Sequence, residues 1–264
     1  MSKVRKICIF CGNSGVTKEH IWPAWLIPHL PSDAINHESL SETRYPTHTA
    51  REIKKHSGSP HSGRLRIVCR ICNNGWMSVL QNQTKPILLP LILGEKTTLF
   101  RKDQSALATW ITMFAIVAEF KSKSERWVAV SGEQRLWFEA HKMPPKHWKI
   151  WIGYFKRQTL KGVYFHNVLP IFPKVGMGPT TEDGYPLPNT QTTSIAVGNL
   201  YAHLISTDGP GIVERQRITT APVIQLWPIT KSPIVWPRIS LTDEEVEKIS
   251  MAFIRGAERR AGLK

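Results

Sequence analysis

The hydrophobic positions of this chain change rhythm along its length. From Ser105 to Phe120, Leu107, Trp110, Ile111, Phe114, Val117 and Ala118 recur at helical spacing in a segment apolar nearly all round, which predicts a core helix near 105–120. From Trp127 onward, short runs rich in aromatic and branched residues (Trp148 to Phe155, Val163 to Leu169, Ser194 to Ile205, Val223 to Leu226) predict strands over 127–228. The Pro- and Gly-dense stretch Pro170 to Pro188 reads as an exposed loop between them. Thr242 to Glu245 has the spacing of a capping box, with Val246, Ile249 and Phe253 on one face, so a last helix is expected near 242–261.

The first 85 residues are patterned differently. After Cys11, a polar turn through Asn13, Ser14 and Gly15 leads into Val16, Thr17, Lys18, Glu19, His20 and Ile21, the mark of a turn followed by a short strand. After Cys72, Asn73 and Asn74 can open a helix whose buried face carries Trp76, Val79 and Leu80. Lys85, Pro86 and Pro90 crowd the stretch from Gln83 to Pro90. Because proline has no N–H to donate, that helix is expected to end there. The whole reads as α+β: a module over 1–85 and a larger mixed α+β domain over 86–264, with no repeat period.

The composition, 41% hydrophobic and 21% charged, excludes a predominantly disordered chain. The longest apolar stretch, Ala106 to Ala118, falls short of the roughly 18 to 20 residues a bilayer core demands, so no membrane partner is expected. Met1 to Lys6 is basic, but the Ile7 to Cys11 run behind it is too short for a signal-peptide apolar region, which makes the cytoplasm the expected compartment. Lys and Arg number 35 against 20 acidic residues, a formal charge of +15. That balance favours polyanions through phosphate contacts and counterion release, and nucleic acid is the first partner it suggests. Arg255, Arg259 and Arg260 in the last helix either touch phosphates or complement the helix dipole. Oligomeric state, monomer or homo-oligomer, is left open.

All four cysteines fall into two Cys-x-x-Cys pairs, Cys8 with Cys11 and Cys69 with Cys72. Two residues between thiolates let a tight turn aim both sulfurs at one tetrahedral ion, and two such knuckles complete a closed site. The expected cofactor is one structural zinc ion, clamping a hairpin against a helix and contributing to folding of the module. A disulfide is the competing reading. A chain this large with no secretion signal keeps its thiols reduced, however, and a redox pair accounts for one motif, not two.

The series Cys8-x-x-Cys11-Gly12, Thr17-x-Glu19-His20-Ile21-x-Pro23 and Cys69-x-x-Cys72-Asn73 resembles the HNH endonuclease family, which shares the ββα-metal fold; the resemblance covers roughly the first 85 residues. It implies phosphodiester hydrolysis, of DNA sooner than RNA, with His20 as the general base acting on the attacking water. By the same resemblance Glu19, where the family more often has Asp, is a ligand of a catalytic Mg or Mn ion. Asn73 is that ion's terminal ligand, with Asn74 the adjacent alternative. Imidazole suits the base role because its unperturbed pKa lies near neutrality. A hard divalent ion on oxygen ligands can neutralise the phosphate and stabilise the leaving oxygen. The family's middle Asn, which orients the base, has no counterpart between His61 and Val68. His56, His61 or a backbone group are the substitutes.

Each of these residues also has a plainer reading. Glu19 and His20 fit an exposed strand pair, and Asn73 fits a helix cap. His56 and His61, read as lying in a polar loop with Ser57, Gly58, Ser59 and Pro60, fit solvated side chains. Most tryptophans read as core, and only Trp22 and Trp25 lie near enough to the motif in sequence to be tested for stacking on a base. The expected function is a metal-dependent HNH-type endonuclease. Two alternatives stand beside it: a catalytically inactive zinc-containing nucleic-acid-binding protein, and a defence or regulatory effector whose C-terminal domain senses a ligand or partner and gates the nuclease.

Overall fold

The computed structural model describes residues 7–29, 36–44, 49–57, 63–121, 128–156, 163–171, 178–182, 184, 186–208, 218 and 221–260, with the backbone alone for 36–44, 49–57, 163 and 253–260. His61 and the side chains of His56, Arg255, Arg259 and Arg260 therefore lie outside the described residues. The fold is mixed α+β. Strand β1 (Val16–His20) pairs antiparallel with β4 (Arg64–Cys69) as a two-stranded ribbon. Between them in sequence, β2 (Asn36–Arg44) and β3 (Thr49–Ser57) form a second antiparallel hairpin. Their polar sequences lack the alternation that announces a strand, and Leu40 opposite Ile53 is an isolated apolar pair in the register.

β4 runs straight into a helical segment: one α turn, α1 (Arg70–Cys72), a π turn over Asn73–Met77, then α2 (Ser78–Leu93). The expected stop at the prolines does not occur. Pro86 and Pro90 lie inside α2, which ends at Gly94 in the left-handed region with φ 74°. The prolines are four apart, so the carbonyls they leave without donors, on Asn82 and Pro86, share one helix face. Both residues are exposed, and water can take those hydrogen bonds. The buried stripe is Leu80, Thr84, Leu88 and Leu91, continued by Met77 and turned to the next long helix, Arg101–Glu119. Val79, expected on that stripe, is 53% exposed because it lies about 100° round the helix from Leu80.

After β5 (Thr97–Leu99) comes α3 (Arg101–Glu119), buried without interruption from Leu107 to Glu119. It begins before the expected Ser105, where the Asp103 carboxylate accepts the Phe100 N–H at 2.9 Å. A helix, α4 (Gly132–His141), replaces strand at the start of the 127–228 region. Ser131 and Gln134 cap it reciprocally, the Ser131 hydroxyl taking the Gln134 N–H and the Gln134 side-chain oxygen taking the Ser131 N–H, both at 3.2 Å.

The main sheet is built from β6 (Lys149–Phe155), β7 (Val163–Leu169), β8 (Thr190–Val197), β9 (Leu200–Thr207) and β10 (Ile224–Trp227). The run from Ser194 to Ile205, read as one stretch, is a hairpin turning at Gly198 and Asn199. β11 (Ile234–Trp236) pairs with β5, and β12 (Ser240–Leu241) adds to β6 in parallel. The sheet order is β10-β6-β9-β8-β7-β2-β3, with β2 parallel to β7 and Glu42 beside Asn167. The segment between the cysteine pairs thus supplies two strands to the sheet of the larger domain.

One sheet face, with Ile150, Ile152, Ile195, Val197 and Leu204, shares a single hydrophobic cluster with α2, α3, Phe10 and Trp22, so the cluster draws members from both sides of residue 85. Phe155 and Tyr201 on the other face pack against Val246 and Ile249 of α5 (Asp243–Arg260). α5 opens on the expected capping box, Glu245 accepting the Thr242 N–H at 2.8 Å and Thr242 accepting the Glu245 N–H at 3.2 Å. No described helix is long and apolar enough to cross a membrane.

Candidate functional site

The first knuckle is a turn closed on itself and tied to the ribbon. The Cys8 N–H donates to the Asn13 carbonyl at 2.8 Å, the Gly12 N–H to the Cys8 carbonyl at 3.0 Å, and the Ile9 N–H to the Ile67 carbonyl at 2.9 Å. Gly12 and Gly15 take φ of 72° and 84°, a conformation that side-chain-bearing residues resist. The second knuckle lies where β4 becomes helix: Cys69 caps α1, its sulfur accepting the Cys72 N–H at 3.5 Å. Because β4 places Cys69 opposite Val16, the ribbon itself brings the knuckles together.

The four sulfurs of Cys8, Cys11, Cys69 and Cys72 lie within 4.8 Å of one another, with Cys11 and Cys69 at 3.5 Å. A tetrahedral ion with metal–sulfur bonds of about 2.3 Å needs sulfurs about 3.8 Å apart, so the cluster is close enough to hold a metal ion. All four thiols are free, and three of them are buried. Burial pushes the Cys11 and Cys72 thiols up. Burial also works against the Cys69 thiolate, but the Cys72 N–H and the neighbouring thiols outweigh it and bring Cys69 below the ordinary thiol range. Phe10 locks the first knuckle into the core, its ring edge-on to Trp76 at 5.1 Å.

Beside the cluster, the alternation of β1 turns Thr17 and Glu19 to one face and Lys18 and His20 to the other. On the inner face Asn73, one residue beyond Cys72, donates its side-chain N–H to the Thr17 hydroxyl at 3.2 Å and also bonds the Glu19 carboxylate. Glu19 is 7% exposed, and burial pushes its carboxyl up to about 7, with the Asn73 amide pulling the other way. His20 is half-buried and sits opposite Arg64 in the ribbon register. The Arg64 Nε–H donates to its Nε2 at 2.7 Å. Burial and then the Arg64 cation hold the imidazole below its usual pKa, so it is neutral near pH 7. Glu19 and His20 line a pocket between β1 and helices α2 and α3, with Met77, Gln81, Trp110 and Phe114.

The structure therefore brings together Glu19, Asn73 and the cysteine cluster, with His20 next door on the opposite strand face. Asn74 is exposed, and the backbone of His56 lies in β3 opposite His37. Trp22 is buried against Phe114 with ring centroids 4.5 Å apart, which removes it as a stacking platform. Trp25 is half-buried under Lys85. The residue missed in sequence is Arg64. It is 44 positions from His20, and only the strand register makes it a neighbour.

Fold and site together define a mixed α+β protein with a tetracysteine cluster able to bind a metal. No family model, no curated protein and no solved structure matches the chain.

Proposed function

We propose that the chain is a metal-dependent endonuclease of the HNH type, with zinc on the four cysteines and Glu19, His20 and Asn73 at the hydrolytic site. The reading is carried by one observation: Asn73, which directly follows the last cysteine, meets the buried Glu19 carboxylate across the ribbon, with His20 adjacent. Four thiols with no oxygen donor suit zinc, a borderline-soft ion content with tetrahedral sulfur. Glu19 and Asn73 instead offer oxygens, the donor type that hard Mg or Mn prefers. Rotating the Asn73 amide exchanges its nitrogen and oxygen over the same neighbours, so its carbonyl can face Glu19. An ion held by Glu19 and Asn73 would supply positive charge to the phosphate and the leaving oxygen. His20 takes the proton of the attacking water on an unprotonated ring nitrogen, and its lowered pKa keeps that form populated at neutrality.

The test is incubation of metal-stripped protein, resupplied with Mg or Mn, with supercoiled DNA and with single-stranded RNA. Nicking of DNA is expected. His20→Ala is expected to lose about 100-fold or more of the rate, the usual worth of a general base, with circular dichroism and zinc content unchanged. Full activity in that variant would remove His20 from the mechanism. A second reading has its own support: the Arg64 N–H occupies Nε2 of His20, as it would in a catalytically silent nucleic-acid-binding protein. That protein binds both substrates and cuts neither with any divalent ion.

A further inference from the structure

The β1–β4 ribbon has two unlike faces. Glu19, the ribbon's one acid, is buried on the face turned to Asn73. The outward face carries Lys18 and His20 from β1 and Arg64 and Arg66 from β4, with Lys18, Arg64 and Arg66 all exposed. Among the described residues no carboxylate pairs with these three cations. Arg64 and Arg66, two apart in β4, share the exposed face, and the register slips between Thr17 and Glu19, where Arg66 and Ile67 together oppose Lys18. Arg64 spends its Nε–H on a neutral imidazole and keeps both terminal guanidinium nitrogens for another acceptor.

We infer that this outward face binds the phosphodiester backbone of a polynucleotide, and that Arg64 trades His20 for a phosphate when the strand arrives. A small anion asks for donors converging on one point, whereas these cations are spread along two strands, as the repeated charges of a backbone require. The exchange also frees the base. While Nε2 accepts from Arg64, the neutral ring carries its proton on Nδ1 and has no lone pair left to take one from water. Moving the guanidinium to phosphate, a stronger charge-assisted partner, leaves the Nε2 lone pair free to accept a proton. This second half rests on the endonuclease reading, and the binding surface does not.

The experiment is the salt dependence of binding to a labelled short duplex and to a labelled single strand, followed by anisotropy. Each phosphate contact contributes about 0.9 to the log–log slope on duplex and about 0.7 on single strand. K18A/R64A/R66A is expected to flatten the slope by about 2.7 and about 2.1 respectively, and Arg64→Ala alone by about 0.9 on duplex. Arg64→Lys keeps the charge and the slope. R101A/K102A, on the exposed start of α3, leaves the slope unchanged and controls for net charge. A wild-type slope in the folded triple variant overturns the proposal; if that variant does not fold, the slopes of Arg64→Gln and Arg66→Gln decide in its place. Where the wild type cuts, Arg64→Ala is expected to lose kcat/KM through a raised KM, and loss through kcat with binding intact refutes the exchange. A wild type that binds with the expected slopes but never cuts ends the endonuclease reading and leaves the surface standing.

Discussion

Glu119 shows how far one side chain can be driven by its surroundings. It closes α3 fully buried, and its carboxylate accepts the Ala129 N–H at 3.0 Å and the Val130 N–H at 3.3 Å. Burial pushes its pKa up to about 8 against the pull of Ala129, Arg135 and Val130. The unfolded chain releases this proton near about 4.3. Between those values the folded state holds more protons, so the contribution of Glu119 is complete below the unfolded pKa and is lost as pH rises through about 8. Glu119→Gln keeps an oxygen acceptor and cannot ionise. Thermal melts of the variant are expected to be flatter than wild type from about pH 5 to about pH 8, with the gain largest at the alkaline end. Parallel curves would show that Glu119 does not titrate in this window. Glu19 and His20 stand side by side and Asn73 directly follows Cys72, so all three could be singled out as candidates from the sequence. Arg64 carries no such mark, since arginines are frequent here and its partner is set by register alone.

At the scale of elements, the cysteine knuckles begin and end the ribbon and start the helix. Arg135 of α4 ties the first knuckle inward, its Nε–H donating to the Ile9 carbonyl at 3.0 Å and a terminal nitrogen reaching the Val130 carbonyl. An ion bound to the four sulfurs would tie the start of β1 to the junction of β4 and α1, and so contribute to folding of this part of the chain. Wild-type protein is expected to carry about one zinc per chain by elemental analysis, the stoichiometry of a closed four-thiolate site. Cys69→Ser is expected to lose most of it and to melt at lower temperature, as wild type does after chelation. Metal-free wild-type protein that melts unchanged would dispose of the zinc assignment. α5 shows what local chemistry can announce, since its Thr242–Glu245 box was read in sequence, whereas α4 opens on an equally local Ser131–Gln134 box inside a region expected as strand. α2 shows the limit, because two prolines that forbid N–H donation are tolerated once their stranded carbonyls face water.

At the scale of the whole molecule one sheet face, α2, α3 and the ribbon share one core while α5 packs on the other face, and a tight join is the β8–β9 turn on the end of α2. The Asn199 N–H donates to the Ile92 carbonyl at 2.8 Å, and the Asn199 side chain adds a second bond at 3.1 Å. Gly198, at φ 54°, lets that approach happen: a Cβ there would stand 2.4 Å from the Ile92 oxygen. Gly198→Ala is expected to cost about 2 to 5 kcal/mol, the sum of left-handed strain and overpacking. Gly184→Ala, also left-handed at φ 81° but with nothing within 4 Å of the added carbon, is expected to cost only about 1 kcal/mol. Urea unfolding of the pair checks both figures, and equal losses would mean that strain alone, without the contact, sets the cost at Gly198.

The sequence by itself determined the α+β class, the core helix, most strands of the main sheet, the last helix and the meeting of four thiols. These are written in periodicity, caps and paired cysteines, all of which act over short distances. Tertiary structure alone decided that a polar hairpin between the cysteine pairs joins the far sheet, that Val79 faces water, that Arg64 finds His20, and that Glu19 is buried rather than exposed. Each of those outcomes depends on which surface lies opposite, and strand register and helix packing set that through contacts between residues far apart in the chain.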